Sequence, residues 1–404
     1  MPGLRARRPP PRLRRTPRLG FLPAHSVLFA LLGLALLPSR PVTGAPSGPE
    51  ASTSSAPAAF GIVAVDSVRK EWGVATVSRW MAVGARSIGA RAGAGVWLAL
   101  ELPDPRTGAA ALAQSAEGQP ARMVLDTLLA ADARRGERQI AMVDRGGSVA
   151  GYTGDRCPPW SGERFGKGYV CQGVALRGGE ALTAMARAFE LTTGTLAERL
   201  LAAVEAAEAI APLREEMESS ALLVVREGGG LSGWSDRLID LRVDQAPDAV
   251  QGLKALYAAH AATFLPAAYA RFGDDAKRRG DTISSDREYS SADAGFRAAV
   301  ARKPSDADAL NELAWFLATH DRSLEEAVRL AKTAASLRPR DPILYDTLAE
   351  AEYRSGSLTR AIAAMERAVK YSGGAARYTE RLGRWTRERA ALEGKPEGKP
   401  PSSP

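Results

Sequence analysis

The residues of this chain able to do acid–base or nucleophilic work are few and unevenly placed. Histidine occurs three times in 404 residues, at His25, His260 and His320, so the stretch 59–255 holds none. A Ser-His-Asp or Cys-His arrangement within that stretch is excluded, because each needs an imidazole to take and return a proton. A histidine-ligated metal is excluded with it, and two cysteines without neighbouring histidine supply too few soft ligands for zinc. The glycine-rich run EGGGLSG (227–233) lacks the Lys-Ser or Lys-Thr of a phosphate-binding loop and reads as a hairpin turn. No cofactor and no metal are expected.

Amide hydrolysis without histidine remains open to a Ser, Thr or Cys freed at a chain start. Its own α-amine, with a pKa of about 8, takes the side-chain proton through water. Such a residue must head a strand and face a cleft between sheets. The stretch APAAFGIVAVD (56–66) has that placement. Around such a cleft the polar candidates are Asp66, Ser78, Trp160, Gln172, Asp236, Arg237 and Arg242. Ser78 and Gln172 would donate hydrogen bonds, and Arg237 or Arg242 would hold a carboxylate. Plainer readings stand beside these. Asp240, Arg242 and Asp244 alternate as the wet side of a strand does, and Trp160 equally serves as a loop plug.

The elements that must position these residues follow from pattern. FGIVAVD and EWGVATVSR alternate and are β-branched, with SVRK as a hairpin link. GVWLALEL is a third strand. Helical spacing runs through 110–132, interrupted near Gly118–Pro120. RQIAMVD and GSVAGYTG flank Arg145-Gly146-Gly147 as a hairpin, and KGYVCQGVAL is a further strand. Residues 178–209 are helical with a break near Thr193–Gly194. SALLVVREGGGLSG and RLIDLRVD are two more strands, and PDAVQGLKALYAAHAATF returns to helix. Strand neighbours joined by tight turns predict antiparallel sheets covered by helices, an α+β helix–sheet–sheet–helix sandwich over 59–260.

From about residue 262 the pattern is helix alone, and it repeats. Leu313 matches Leu348, Ala327 matches Ala361, and Ala334 matches Ala368, at steps of 34 or 35, while Ala292, Phe296, Ala299 and Pro304 mark the same places one unit earlier. This is similar to the tetratricopeptide repeat, with a period of about 34, and implies a protein or peptide partner. Residues 262–392 are read as this all-α domain, with a capping helix at 375–392. The tail EGKPEGKPPSSP (393–404) is disordered by composition.

The formal net charge of +8 does not point to nucleic acid. Eight arginines lie in residues 1–45, and removing them from the 54 Lys and Arg leaves 46, equal to the 46 Asp and Glu. Seven of those arginines precede the apolar run VLFALLGLALL (27–37), which a small-residue cleavage site follows near Gly44–Ala45, the pattern of a signal peptide. The run is shorter than the roughly 20 residues of a membrane span. Residues 1–45 are therefore expected to be a leader, 46–58 a flexible spacer, and the mature chain extracytoplasmic, periplasmic or secreted. Two cysteines in an exported chain permit a disulfide, Cys157 to Cys171, or two separate buried thiols; both stay open.

FGIVAVDS, EWGVATVSRWMAVGA, RAGAGV, the run TGDRCPPWSG (153–162) and Gln172-Gly173 resemble the domain-of-unknown-function 1028 family over about 59–260. The resemblance implies an N-terminal-nucleophile hydrolase fold, a four-layer αββα sandwich. The family opens with Thr as candidate nucleophile, where this chain has Ala59; Gly61 replaces a Ser, Val174 replaces an Asn, and Leu98–Leu100 with Glu101 replace a polar run. Ser54 and Ser55 lie off the strand head and read as spacer. The expected protein is an exported, inactive or altered hydrolase-like domain joined to an interaction module. The alternative is an active exported amidohydrolase acting on small amides or peptides.

Overall fold

The computed structural model describes residues 58–210 and 218–394. The leader, the spacer up to residue 57 and the tail beyond Gly394 lie outside the described residues. In chain order the first half comprises β1 (Ala59–Asp66), β2 (Glu71–Ser78), α1 (Val83–Arg86), β3 (Ile88–Arg91), β4 (Gly95–Glu101), α2 (Pro105–Ala116), α3 (Ala121–Ala130), β5 (Gln139–Asp144) and β6 (Val149–Thr153). It continues with β7 (Gly162–Gly166), β8 (Tyr169–Val174), α4 (Glu180–Leu191), α5 (Leu196–Ile210), β9 (Glu218–Val225), β10 (Arg237–Ala246) and α6 (Ala249–Thr263).

The strands form two sheets, one of order β10-β9-β2-β1-β8-β7 and one of order β3-β4-β5-β6. Every pairing is antiparallel, as the short links require. The period-two alternation of β1 explains the layering. Phe60, Ile62 and Ala64 share a core with Leu182, Met185, Leu200, Val204 and Leu253 of α4–α6. Ala59 and Val63 point the other way, onto Val96, Leu98 and Val143 of the smaller sheet. The far face of that sheet, through Trp97, Ile140 and Met142, carries α2 and α3. Gly61 is the tight point between the sheets: a Cβ there would lie 2.9 Å from both the Ala75 carbonyl and Leu98 Cδ2. The break in the α2–α3 region falls at Glu117–Pro120, as the pattern predicts.

Three elements lack a signature in the sequence. β3 (IGAR) and β7 (GERFG) are short strands at sheet ends, half exposed, without apolar alternation. Hydrogen bonding to β4 and β8 makes them strands. α1 is a single turn.

The second half is helical: α7 (Leu265–Arg278), α8 (Thr282–Arg302), α9 (Ala307–Thr319), α10 (Leu324–Leu337), α11 (Pro342–Arg354), α12 (Leu358–Tyr371) and α13 (Ala376–Glu393). Only Phe264 separates α6 from α7, so the boundary expected at 260–262 falls inside the last turn of α6. The predicted capping helix is α13, which runs one residue into the expected tail. Asp281, Asp306 and Asp341 cap α8, α9 and α11 by accepting main-chain N–H bonds. The repeat-matched Ala327, Ala334, Ala361 and Ala368 are fully buried, because methyl groups let paired helices close on one another.

The two halves share a core. Tyr269, Phe272, Tyr289, Phe296 and Phe316 of α7–α9 pack in one cluster with Leu222, Val250 and Leu253 of the α/β half. The first helical pair is thereby docked on the sheets rather than tethered beside them. No helix among the described residues is long and apolar enough to cross a membrane.

Candidate functional site

The head of β1 is the place where an N-terminal nucleophile would sit. Ala59 is 2 % exposed and stands in register between Ser78 of β2 and Val174 of β8. Its face of the sheet meets Leu98 and Leu100, both buried. Ser78 is buried too, and its Oγ accepts the Trp80 N–H at 3.0 Å. Ser219 of β9 donates to the Trp80 carbonyl and accepts the Val83 N–H at 3.1 Å. The Ser78 and Ser219 hydroxyls therefore hold the segment after β2 in place, and the strand head itself offers a methyl group.

Gln172 does not donate into a cleft. Its Nε2 reaches across to the Ile140 carbonyl of the other sheet at 2.7 Å and to Glu163 Oε2 at 3.1 Å. Gln139 reciprocates from β5, donating to the Gly173 carbonyl at 2.9 Å, and Thr153 donates to Glu163 Oε2 at 3.0 Å. Both glutamines are fully buried, so these bonds fasten one sheet to the other. Gln172→Leu, which removes the bonds from Nε2 to the Ile140 carbonyl and to Glu163, is expected to lower stability by about 1–3 kcal/mol in urea denaturation.

The other predicted residues are scattered. Asp66 lies at the far end of the β1–β2 hairpin from Ser78, seven strand steps or roughly 23 Å away. Its Oδ1 accepts the Val68 and Arg69 N–H groups, which shapes the turn. Asp236 accepts the Gly228 N–H at 3.0 Å, closing the glycine hairpin. Trp160 is 36 % exposed and lies against Gly162 and Gly179, where a Cβ would come within 2.9 and 3.1 Å of its indole. Arg237 and Arg242 both pair with Asp240 and both line a groove of about 310 Å³ beside α1 and β3. Neither Ala59 nor Ser78 lines that groove.

Cys157 and Cys171 are free thiols. Cys157 is half-buried, with its Sγ donating to the Arg138 carbonyl at 3.3 Å, and Cys171 is fully buried in β8. Burial pushes both thiols above their ordinary range, away from reactivity. Among the described residues no group of His, Cys, Asp and Glu could hold a metal ion.

The sequence reading missed a buried charge cluster where the halves meet. Glu71 opens β2 and Glu288 sits in mid-α8, each with a side chain 1 % exposed. Arg226 bridges both at 3.3 Å, and Arg69 reaches Glu288 at 2.7 Å and Ser291 Oγ at 2.7 Å. Burial raises Glu71 to about 7, against the lowering influence first of Arg226 and then of Arg69. Strand parity carried a signal: Glu71 shares a face with Ala75 and Val77, which pack in the helix-side core. A carboxylate on such a face needs a buried partner.

Residues 59–253 match the profile of a family of unknown function, DUF1028. Among solved structures, the protein SPO2555 from Silicibacter pomeroyi, of that same family, is 25% identical, covering 50% of this chain and 89% of its own at a TM-score of 0.46. The helical half is similar to the TPR domain of Sgt2 from Aspergillus fumigatus, 20% identical over 33% of this chain and 87% of that one at a TM-score of 0.26. It is also similar to the TPR2B domain of yeast Sti1 in its complex with pHsp70, 18% identical over 31% and 99% at a TM-score of 0.24. No curated protein matches the chain.

Proposed function

We propose that this chain, whose residues 59–253 belong to the DUF1028 family of unknown function, is an exported binding protein in which a hydrolase-like domain has become a scaffold. In this reading the first half is a four-layer αββα sandwich of the N-terminal-nucleophile type, and its catalytic position is Ala59. The observation that carries the reading is the buried Ala59 methyl, flanked by Val174 and by a Ser78 hydroxyl already engaged with the main chain. A carbonyl needs an attacking oxygen or sulfur, and none is free there.

Binding falls to the helical half. On α9, Asn311 is buried with its Oδ1 lacking a partner, and Trp315, one turn on, is 36 % exposed. Ile343 stands exposed at the start of α11, the neighbouring first helix of the next pair. An extended peptide supplies side chains for such exposed apolar groups as the Trp315 indole and Ile343. The leader-like segment 1–45 supports export.

Treating the exported protein with a β-lactone or fluorophosphonate probe and weighing it intact is expected to show no adduct and an N-terminus near Ala45. An acyl or phosphonyl adduct on the processed chain overturns the scaffold reading in favour of an amidohydrolase. On an array of extended peptides, Trp315→Ala and Ile343→Ala are expected to abolish the binding seen with the parent at an unchanged melting temperature. Peptide binding indifferent to both substitutions overturns the assignment of the α9 face.

A further inference from the structure

The junction between the halves encloses more than an ion cluster. A cavity of about 690 Å³ opens between α6, α7 and α8, with the turn after β1 and the start of α5 as its remaining walls. That volume lies within the range of small-molecule sites. One side of α8 faces it with small residues, Ser290, Ser291, Ala294, Gly295 and Ala298, and with Arg287 and Arg302 at either end. Opposite are Ala258, Ala261, Leu265 and Pro266.

The observation that sets this cavity apart from a packing gap is Tyr269. Its side chain lines the cavity, the residue is 4 % exposed, the Arg69 guanidinium sits 5.2 Å from its ring centre, and burial and neighbouring charges rather than a hydrogen bond set the state of its hydroxyl. A buried tyrosine ordinarily satisfies its hydroxyl. Burial keeps this phenol well above its ordinary pKa, hence protonated and a donor. Its neighbour Tyr257 already meets Thr195 Oγ1 at 3.4 Å.

The charges around the cavity favour an anion. Arg69, Arg287 and Arg302 line it against one carboxylate, Glu198, which is engaged in capping Thr195 through its N–H at 2.7 Å. Behind the wall, Arg69, Arg226 and Arg287 gather on Glu71 and Glu288, three guanidinium groups to two carboxylates. Arg302 donates to the Ala258 carbonyl at 3.1 Å and has no acidic partner among the described residues.

We infer that this cavity binds a small amphiphilic carboxylate, its headgroup taken by the Tyr269 hydroxyl and the arginines, its apolar body laid along the alanines of α6 and α8. The inference is independent of whether the strand head is catalytic and of the peptide face on α9.

The probe is decanoate, titrated calorimetrically into the full chain, with decylamine and decanol of matching length as controls. Decanoate is expected to bind saturably and to raise the melting temperature, with decylamine silent and decanol at least tenfold weaker. Tyr269→Phe removes only a hydroxyl, and Arg302→Gln removes an exposed charge and its surface bond to the Ala258 carbonyl. Both are expected to melt as the parent does and to weaken decanoate about tenfold. Ala298→Trp, which fills the slot from an exposed position, is expected to abolish binding. Absence of decanoate binding, or equal affinity in all three variants, overturns the inference; decanol binding as tightly as decanoate overturns the anionic class.

Discussion

Arg226→Met is expected to lower stability by about 3–5 kcal/mol at pH 8 and by distinctly less at pH 5. Arg226 holds Glu71 and Glu288 at 3.3 Å and stacks 3.6 Å from the centre of the Phe272 ring, with a side chain 14 % exposed. Met keeps the stem over Phe272 and removes the charge, so the loss is electrostatic. The pH dependence follows from Glu71, whose folded value of about 7 lies above its ordinary 4.5. A raised carboxylate favours the fold fully below 4.5, and that contribution is lost as pH climbs through 7, an integrated change of about 3 kcal/mol. At pH 5 Glu71 is neutral in the folded chain and asks nothing of Arg226. At pH 8 it is ionised, and without the guanidinium it is a buried lone charge.

The companion substitution turns the sign. Glu71→Gln is expected to stabilise the chain at pH 8, by up to about 3 kcal/mol, and to flatten the rise in stability between pH 7 and 4.5 by about one proton. Desolvation outweighs the attraction of Arg226 at this site, and Arg226 keeps Glu288 when Glu71 is neutral. Urea midpoints from pH 4.5 to 8.5 test both variants. Equal losses for Arg226→Met at both pH values remove Glu71 from the explanation.

Trp385→Ala is expected to lower stability by about 3–5 kcal/mol and to release α13. Trp385 is 1 % exposed and stacks on Tyr353 at 4.8 Å between ring centres with planes 14° apart. It belongs to the cluster that includes Ile362, Met365 and Tyr378, so its loss opens the end of the helical stack to water. Its indole Nε1 is buried without a partner, so Trp385→Phe forfeits volume but no hydrogen bond and is expected to cost under half as much. Hydrogen exchange confined to α12 and α13 is the discriminating measurement. Fast exchange spread evenly over the whole chain would show that the cap is not a separable end.

Much of the architecture was legible because it is local. Alternation along β1, β2, β5 and β8, the break before Pro120 and the Arg145–Gly147 turn each declare themselves within a few residues. The step of 34 to 35 between α9 and α11, and between α10 and α12, is a repeat in the chain before it is one in space. β3 and β7 were illegible for the opposite reason, since their conformation comes from a neighbouring strand.

The candidate site was legible only in one respect, the absence of histidine and of a nucleophile at Ala59. Gln172, Asp66 and Arg242 were grouped by residue type, and the fold put them to three separate uses: fastening two sheets, shaping a turn, and pairing with Asp240 on the edge strand.

By itself, then, the amino-acid order determined two antiparallel sheets with helices, a stack of paired helices after them, and a strand head without a reactive atom, because backbone periodicity and side-chain identity are properties of the chain. Only the tertiary structure decided that Glu71, Arg226, Arg69 and Glu288 meet, that Tyr269 turns its buried side chain to a cavity, and that this cavity lies beside them. Those residues are separated by as many as 219 positions, and the burial that shifts Glu71 arises only when the first helical pair closes over the end of the sheet.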